Sequence, residues 1–308
     1  MSEWIQAIDQ ASIPFLVWLQ SFQSGGLTAI MRFFSTLGTE YFFMLLLPFL
    51  YWTISKRWGV LVSLSLIFSS YLTGIIKTLF NLPRPPSPPV EKLWHETSPS
   101  FTSGHAATAM AVWGTLAILV HKVWFWLLAV FLIFFIGFSR LYLGVHYPAD
   151  VIGGWVLGLV VAWAVLAGAP RIEVAVRTWS AGKMLVAALA LSLLMLLIHP
   201  VRPEAGGWPA PGAVQLAGML LGMLAGLVWD VKSLHFRVNG PLRKRILRLL
   251  LGLVVLAVCY VTPKLLLVQL DVTSYPMEQM LRFGRYALVG FVVSGLAPWL
   301  FAKAHLAE

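Results

Sequence analysis

Of the 308 residues, 59% are hydrophobic and 11% charged, less than half of the roughly 25% charge of an average soluble domain. Twelve acids and 22 bases cannot coat a water-soluble globule of this length, so the composition excludes that class and implies a protein of the bilayer. The formal charge of +10 suggests nucleic acid only until the bases are placed along the chain, because they gather in the breaks between apolar runs, where an anionic leaflet accounts for them.

Residues 1–37 are less apolar than the rest of the chain. Trp4, Ile5, Ile8, Ile13, Phe15 and Leu16 are mixed with polar positions, the pattern of an interfacial helix. The start, MSEWIQAIDQ, is acidic and lacks the basic opening and cleavage pattern of a signal peptide. Apolar runs lie near 41–55, 59–80, 105–120, 123–138, 150–168, 184–198, 212–229, 246–262 and 286–301. Each is close to the length that crosses a roughly 30 Å hydrocarbon core, so about nine transmembrane helices are expected. Under that count the breaks at 56–58, 121–122, 169–183 and 230–245 lie on one side with the C-terminus, and that side as a whole carries most of the 22 bases. The positive-inside rule puts that side in the cytoplasm. The expected architecture is an all-α polytopic membrane bundle in three parts: an interfacial segment over 1–37, a core over 38–168 and additional transmembrane helices over 169–308.

The chemistry-bearing residues lie at span ends on the opposite side. Lys77 closes the second run, and Arg84 follows between two prolines in NLPRPP. A stiffened guanidinium fork and a compact ammonium suit phosphate oxygens. The polar, proline-rich stretch 81–104 then leads to Thr102-Ser103-Gly104-His105 at the head of the third run. Ser103 can cap that helix, and Gly104 lets an anion approach its first amides. Between the fourth and fifth runs lies SRLYLGVHYPAD, containing Arg140, His146 and Asp150. With helix beginning near Pro148, Asp150 can hold one imidazole nitrogen of His146 and leave the other as a nucleophile. Three cations, two histidines and one carboxylate on one membrane face are costly unless an anion is bound there, and phosphate fits. No carboxylates or cysteines stand in metal-ligand spacing, so metal-free and cofactor-free chemistry is expected. Serine catalysis at Ser103 lacks the G-x-S-x-G elbow.

The last four runs add Gly218, Gly222 and Gly226 at four-residue spacing, a close helix-packing pattern. They also hold the basic stretch from Lys232 to Arg248, and Cys259, read as a packing residue. Glu40 and Asp230 are read as interfacial acids, and His95, His121, His199, His235 and His305 as solvated or interfacial.

The order K-x6-RP, SGH and SR-x5-H-x3-D resembles the type 2 phosphatidic acid phosphatase superfamily, which includes the vanadium haloperoxidases. The motifs cover Lys77 to Asp150 and depart from the family at Thr102, where proline is usual. GTEYFFMLLLPFLYW at 38–52 and RPPSPPVEKL at 84–93 are similar to the sphingosine-1-phosphate phosphatase branch, although Gly104 stands where that branch has threonine. The resemblance implies a phosphatase/haloperoxidase-like core and a lipid phosphate phosphatase. Lys77, Arg84, Ser103, Gly104 and Arg140 would bind phosphoryl oxygens, His146 would attack phosphorus, Asp150 would orient it, and His105 would protonate the leaving alkoxide and then activate water. The expected partners are the bilayer and a membrane lipid phosphate, with no nucleic acid. The expected setting is a bacterial inner membrane, with the site facing outward. A polyprenyl (undecaprenyl) diphosphate phosphatase, a lipid phosphotransferase, a haloperoxidase and a transporter without phosphatase activity are the alternatives.

Overall fold

The computed structural model describes residues 2–201, 207–269 and 274–307, and among these every regular element is a helix. In chain order they are α1 (Ser2–Gln20), α2 (Gly25–Thr36), α3 (Glu40–Phe49), α4 (Lys56–Phe80), α5 (Gly104–Val120), α6 (Val123–Tyr142), α7 (Pro148–Thr178), α8 (Ala181–Ile198), α9 (Pro211–Trp229), α10 (Leu242–Gln269), α11 (Tyr275–Phe291) and α12 (Ala297–Lys303). Short π-helical segments follow α3, α9 and α11 at Leu50–Ile54, Asp230–Leu234 and Val292–Leu296. Serines start several helices for the expected reason: Ser24, Ser103, Ser180 and Ser274 each accept a hydrogen bond from the amide three residues on, satisfying a donor with no intrahelical partner.

The protein is an all-α integral membrane protein, but length and composition give fewer crossings than nine. Seven helices are long and apolar enough to span, and an eighth results if Gly25–Thr36 and Glu40–Ile54, bent by 53°, are one broken span. The run expected at 105–120 is a helix of only 17 residues. The run expected at 41–55 is the second half of the bent pair. The break includes Gly38, where a side chain would not fit: its Cβ would lie 2.7 Å from Cδ2 of His105.

The chain divides into two compact units. The first comprises Met1–Met44 and Leu61–Ala167, and the second Leu45–Val60 and Gly168–Glu308. In the first, α1, α2 and α5 pack on α6. Leu16, Leu19 and Met31 bury against Tyr142, Leu143, Val145 and Tyr147, so the N-terminal helices brace the turn between α6 and α7. That turn requires Gly144, whose φ is +68° and whose Cβ would fall 2.2 Å from the carbonyl of Glu91. Side-chain-free surfaces also bring α7 onto α5: a Cβ on Gly154 would lie 2.6 Å from the Ser103 carbonyl, and one on Gly158 2.3 Å from that of Ala107.

In the second unit α9 lies between α8 and α11. The glycine stripe is a packing surface, since a Cβ on Gly222 would sit 1.7 Å from the Ala287 carbonyl and one on Gly218 2.4 Å from that of Phe283. Two residues depart from the sequence reading. Asp230 is fully buried rather than interfacial. It accepts from Lys56 Nζ at 2.5 Å, Tyr51 Oη at 3.3 Å and the Phe236 amide at 2.8 Å. His199 is buried too, with Nδ1 2.9 Å from the Pro200 carbonyl. A carboxylate and an imidazole at helix ends look interfacial in a linear sequence; Tyr51 and Lys56, from a distant segment, enclose the carboxylate.

Candidate active site

The site is assembled within the first unit from the C-terminal ends of α4 and α6, the N-terminal ends of α5 and α7, and the connections 81–103 and 143–147. Asp150 in the first turn of α7 anchors it. Its Oδ2 accepts from His146 Nδ1 at 3.0 Å, from the Tyr147 amide at 2.9 Å and from the Ser100 hydroxyl, while its backbone carbonyl accepts from the Ser103 amide at 3.0 Å. One residue therefore ties the start of α7, the His146 turn and the start of α5 together. With Nδ1–H donated to a carboxylate, the lone pair of His146 lies on Nε2. That nitrogen faces Arg84 Nη1 at 3.2 Å.

Arg84 is pinned by the backbone on both sides. Its Nε donates to the Ser98 carbonyl at 2.7 Å and its Nη1 to that of Val145 at 2.5 Å. Arg140, in the last turn of α6, has no exposed surface. It donates to the Ser35 hydroxyl and, at 2.5 Å, to Glu96 Oε1, and it lies 5.5 Å from the ring centroid of Trp94. Glu96 Oε2 is 3.6 Å from Arg84 Nη2, so one carboxylate bridges both guanidinium groups. Lys77 donates to the carbonyls of Pro99 and Ser100.

The structure thus gathers Lys77, Arg84, Arg140, His146 and Asp150 with the head of α5. Within that head the donors differ from the simplest expectation. Ser103 has its amide spent on Asp150, and its hydroxyl caps Ala106 at 3.4 Å. The amides of Gly104 and His105, first in the helix, have no intrahelical acceptor. A Cβ on Gly104 would meet only Thr73 Cγ2, at 3.7 Å, so the side-chain position beside these amides is unfilled. His105 lies within electrostatic reach of His146, Arg140, Lys77 and Arg84, and its Nε2 is buried with no hydrogen-bond partner. Asp150 Oδ1 and Arg140 Nε are likewise buried and unmatched. Among the described residues no group of three or more His, Cys, Asp or Glu side chains is placed to hold a metal ion.

Electrostatics favour a neutral His146. Burial, followed by the positive charges of Arg84, Lys77 and Arg140, holds the His146 imidazole well below its usual range. Burial also lowers Arg84, against the opposing pull of Glu96 and Asp150. Beside the same turn, burial and then Asp9 and Asp150 push the Tyr147 phenol up to about 12, and Asp9 on α1 is raised to about 7 by burial and then Asp150. Sequence reasoning missed Glu96, Ser100, Ser35, Trp94, Gly38 and Asp9. Gly38 lies in the stretch 38–52 and Trp94, Glu96 and Ser100 in the long polar connection 81–104, the signals that pointed near them; Ser35 and Asp9 look like ordinary helix residues until the fold places them.

Two family models match the chain: one described as "PAP2 superfamily" over residues 58–173, and one described as "PAP2 superfamily phosphatase, transmembrane extension" over 214–308. The first therefore contains every residue of the constellation. A probable sphingosine-1-phosphate phosphatase of Dictyostelium discoideum is 29% identical over 78% of this chain, which spans 62% of that relative's length. An undecaprenyl-diphosphatase of Sulfolobus acidocaldarius is 32% identical over 44% of this chain and 68% of its own. Among solved structures, a transmembrane PAP2 type phosphatidylglycerolphosphate phosphatase from Bacillus subtilis aligns at 26% identity over 55% of this chain and 87% of its own, with a TM-score of 0.47.

Proposed function

The chain belongs to the PAP2 superfamily, and on that premise we propose that it hydrolyses a lipid phosphate through a phosphohistidine on His146. The observation that carries this reading is the double hold on one ring: Asp150 at Nδ1, and at Nε2 a guanidinium that shares a carboxylate with Arg140. A phosphoryl group taking the place of that carboxylate would meet two arginines and lie beside an unprotonated nitrogen.

The chemistry follows from these positions. Lys77, Arg84 and Arg140 neutralise the phosphoryl oxygens, with the amides of Gly104 and His105 and the Ser103 hydroxyl as neutral donors. The Nε2 lone pair attacks phosphorus as the bond to the lipid oxygen breaks. The negative charge of the bound phosphoryl group offsets the surrounding cations and lets His105 carry a proton, which it gives to the departing alkoxide. Neutral His105 then takes a proton from water, whose oxygen attacks phosphorus and breaks the P–N bond. Inorganic phosphate leaves, and both histidines return to their starting forms. Fixed protein cations supply the positive charge, so the reaction needs no metal.

The site is assigned to the extracytoplasmic side, because the helices that carry it, α4, α6 and α7, have Lys56 and Arg57, Lys122, and Arg171 and Arg177 respectively at or beside their other ends. A phosphate held at helix ends of a membrane protein suits an amphiphile whose headgroup lies at that depth. The name of the Dictyostelium relative favours a sphingoid-base phosphate, with phosphatidate and lysophosphatidate as chemically equivalent monoesters. The name of the Sulfolobus relative makes a polyprenyl diphosphate the second reading. The test is release of inorganic phosphate by the purified full chain in detergent, without added metal, from each of these lipids. Release from one class, inhibition by vanadate and loss of more than about 10⁴-fold in His146→Ala are expected. Undiminished turnover in His146→Ala would remove the proposed nucleophile.

A further inference from the structure

The proposed mechanism leaves Glu96 unused, yet its carboxylate contacts two of the cations assigned to the phosphoryl group. Its two oxygens lie 2.5 Å from Arg140 Nη2 and 3.6 Å from Arg84 Nη2. Arg140 has no exposed surface, whereas the Glu96 side chain keeps 21% of its own. The carboxylate therefore sits at the rim, carried by the non-helical connection 81–103 rather than by a rigid helix. A carboxylate bridging two guanidinium groups presents the same kind of acceptor oxygens as a phosphoryl group. A second resting contact accompanies it: Arg84 Nη1 directs a proton at Nε2 of His146 and covers the lone pair that must attack.

We propose that Glu96 is a built-in competing anion that occupies the phosphoryl site between Arg84 and Arg140 in the resting protein and is displaced by the incoming phosphate. This rests on the reading of those arginines as phosphoryl ligands and adds to it a residue that sets affinity. Removing the bridging anion from a ligand-free site leaves two arginines facing each other, so Glu96 stabilises the empty protein. A side chain tethered beside its site acts at a local concentration in the millimolar range or above, and a ligand must bind against that occupancy. Its apparent affinity falls by the fraction of molecules in which the site is open. The incoming anion also engages Arg84, which draws the guanidinium from Nε2, so arrival of the phosphoryl group and exposure of the nucleophile become one event.

A competing Glu96 and one that only orients the arginines differ in the sign of their effect. If Glu96 competes, Glu96→Gln binds inorganic phosphate and vanadate more tightly, on the order of tenfold for a site that is closed nine-tenths of the time. It also unfolds at a lower temperature when empty, and phosphate restores more stability to it than to the wild type. If Glu96 only orients the arginines, its loss weakens phosphate binding and lowers kcat/KM. The measurement is thermal unfolding of the purified full chain in detergent, titrated with inorganic phosphate and then vanadate. Glu96→Asp provides the second arm: its shorter side chain cannot bridge both guanidinium groups, so phosphate binding tightens by a smaller factor. Unchanged or weaker phosphate binding in the variants overturns the proposal, even when lipid phosphate turnover and its loss in His146→Ala are intact. Tighter phosphate binding without turnover of any lipid phosphate would uphold it and overturn the enzymatic reading instead.

Discussion

Two buried charge clusters, one in each unit, are built from similar residues and balanced differently. In the second unit, the three π segments contribute Tyr51, Asp230 and Ser294, and the Asp230 carboxylate has a donor for each oxygen: the Phe236 amide on one, Lys56 and Tyr51 on the other. Arg248, equally buried, spends its guanidinium on the carbonyls of Val238 at 2.6 Å, Asn239 at 2.6 Å and Leu306 at 2.9 Å. In the first unit, Lys77, Arg84 and Arg140 face Glu96 and Asp150, and Arg140 Nε, Asp150 Oδ1 and His105 Nε2 remain buried and unmatched. Unmatched polar atoms are expensive in a low-dielectric interior. A cluster whose polar atoms are matched needs no ligand; one with buried polar atoms unmatched is, on the proposed reading, completed by an anion. The difference separates a structural network from a chemical one more sharply than burial does, since both are buried.

The largest predicted effect changes charge in the open cluster while keeping shape. In Asp150→Asn the amide no longer fixes the proton on Nδ1 of His146, so the ring shifts toward the tautomer whose Nε2 is protonated and cannot attack. Turnover of a lipid phosphate falls by about 10³–10⁴-fold, read as inorganic phosphate released per folded molecule. A loss below about tenfold would mean that Asp150 is a helix-start carboxylate of the ordinary kind. The matching change in the closed cluster has the opposite signature. Asp230→Ala strands Lys56, Tyr51 and the Phe236 amide, and costs about 3 kcal/mol of stability. The contacts named for this cluster lie in residues 45–60 and 168–308, so kcat per folded molecule stays within about twofold, a difference near 0.4 kcal/mol. Denaturant unfolding and phosphate release on the same preparation separate the two outcomes.

How much of this was legible in the sequence follows the same division. Lys77, Arg84, Ser103, Gly104, His105, Arg140, His146 and Asp150 stand in three short stretches whose spacing is local, so they could be read without the fold. The helical class was equally plain from apolar runs. Hidden were the residues that complete charge balance across long separations. Ser35 reaches Arg140 from 105 positions away, and Tyr51 reaches Asp230 from 179. Glu96 is one acid in a polar loop, where acids are the default, and nothing in its neighbours marks it as facing two arginines. The count of about nine spans is not reached by length and composition alone, because an apolar run records hydropathy but not the 53° break between Gly25–Thr36 and Glu40–Ile54 or the shortness of α5. The π segments have no composition that distinguishes them from α-helix.

The smallest predicted effect concerns protons rather than substitutions. An unperturbed imidazole titrates near 6.5. Burial and the charges of Arg84, Lys77 and Arg140 lower that value for His146. A lowered pKa means that the folded protein takes up the proton less readily than the unfolded chain, so the ring stays neutral as pH falls through 6.5. Two consequences have fixed signs. First, the acid limb of kcat/KM assigned to His146, after the separately measured ionisation of the substrate is divided out, lies below pH 6.5. In Lys77→Met, assayed at its reduced rate, the limb moves up, because one of the charges opposing protonation is gone. Second, stability from this group is fully present above 6.5 and is lost as pH falls from there through the lowered value, since the unfolded state binds the proton first. A limb at or above 6.5 that ignores Lys77→Met would mean that the positive charge around His146 is already cancelled, as it is around Asp230. The first cluster would then have no remainder for a phosphate to complete.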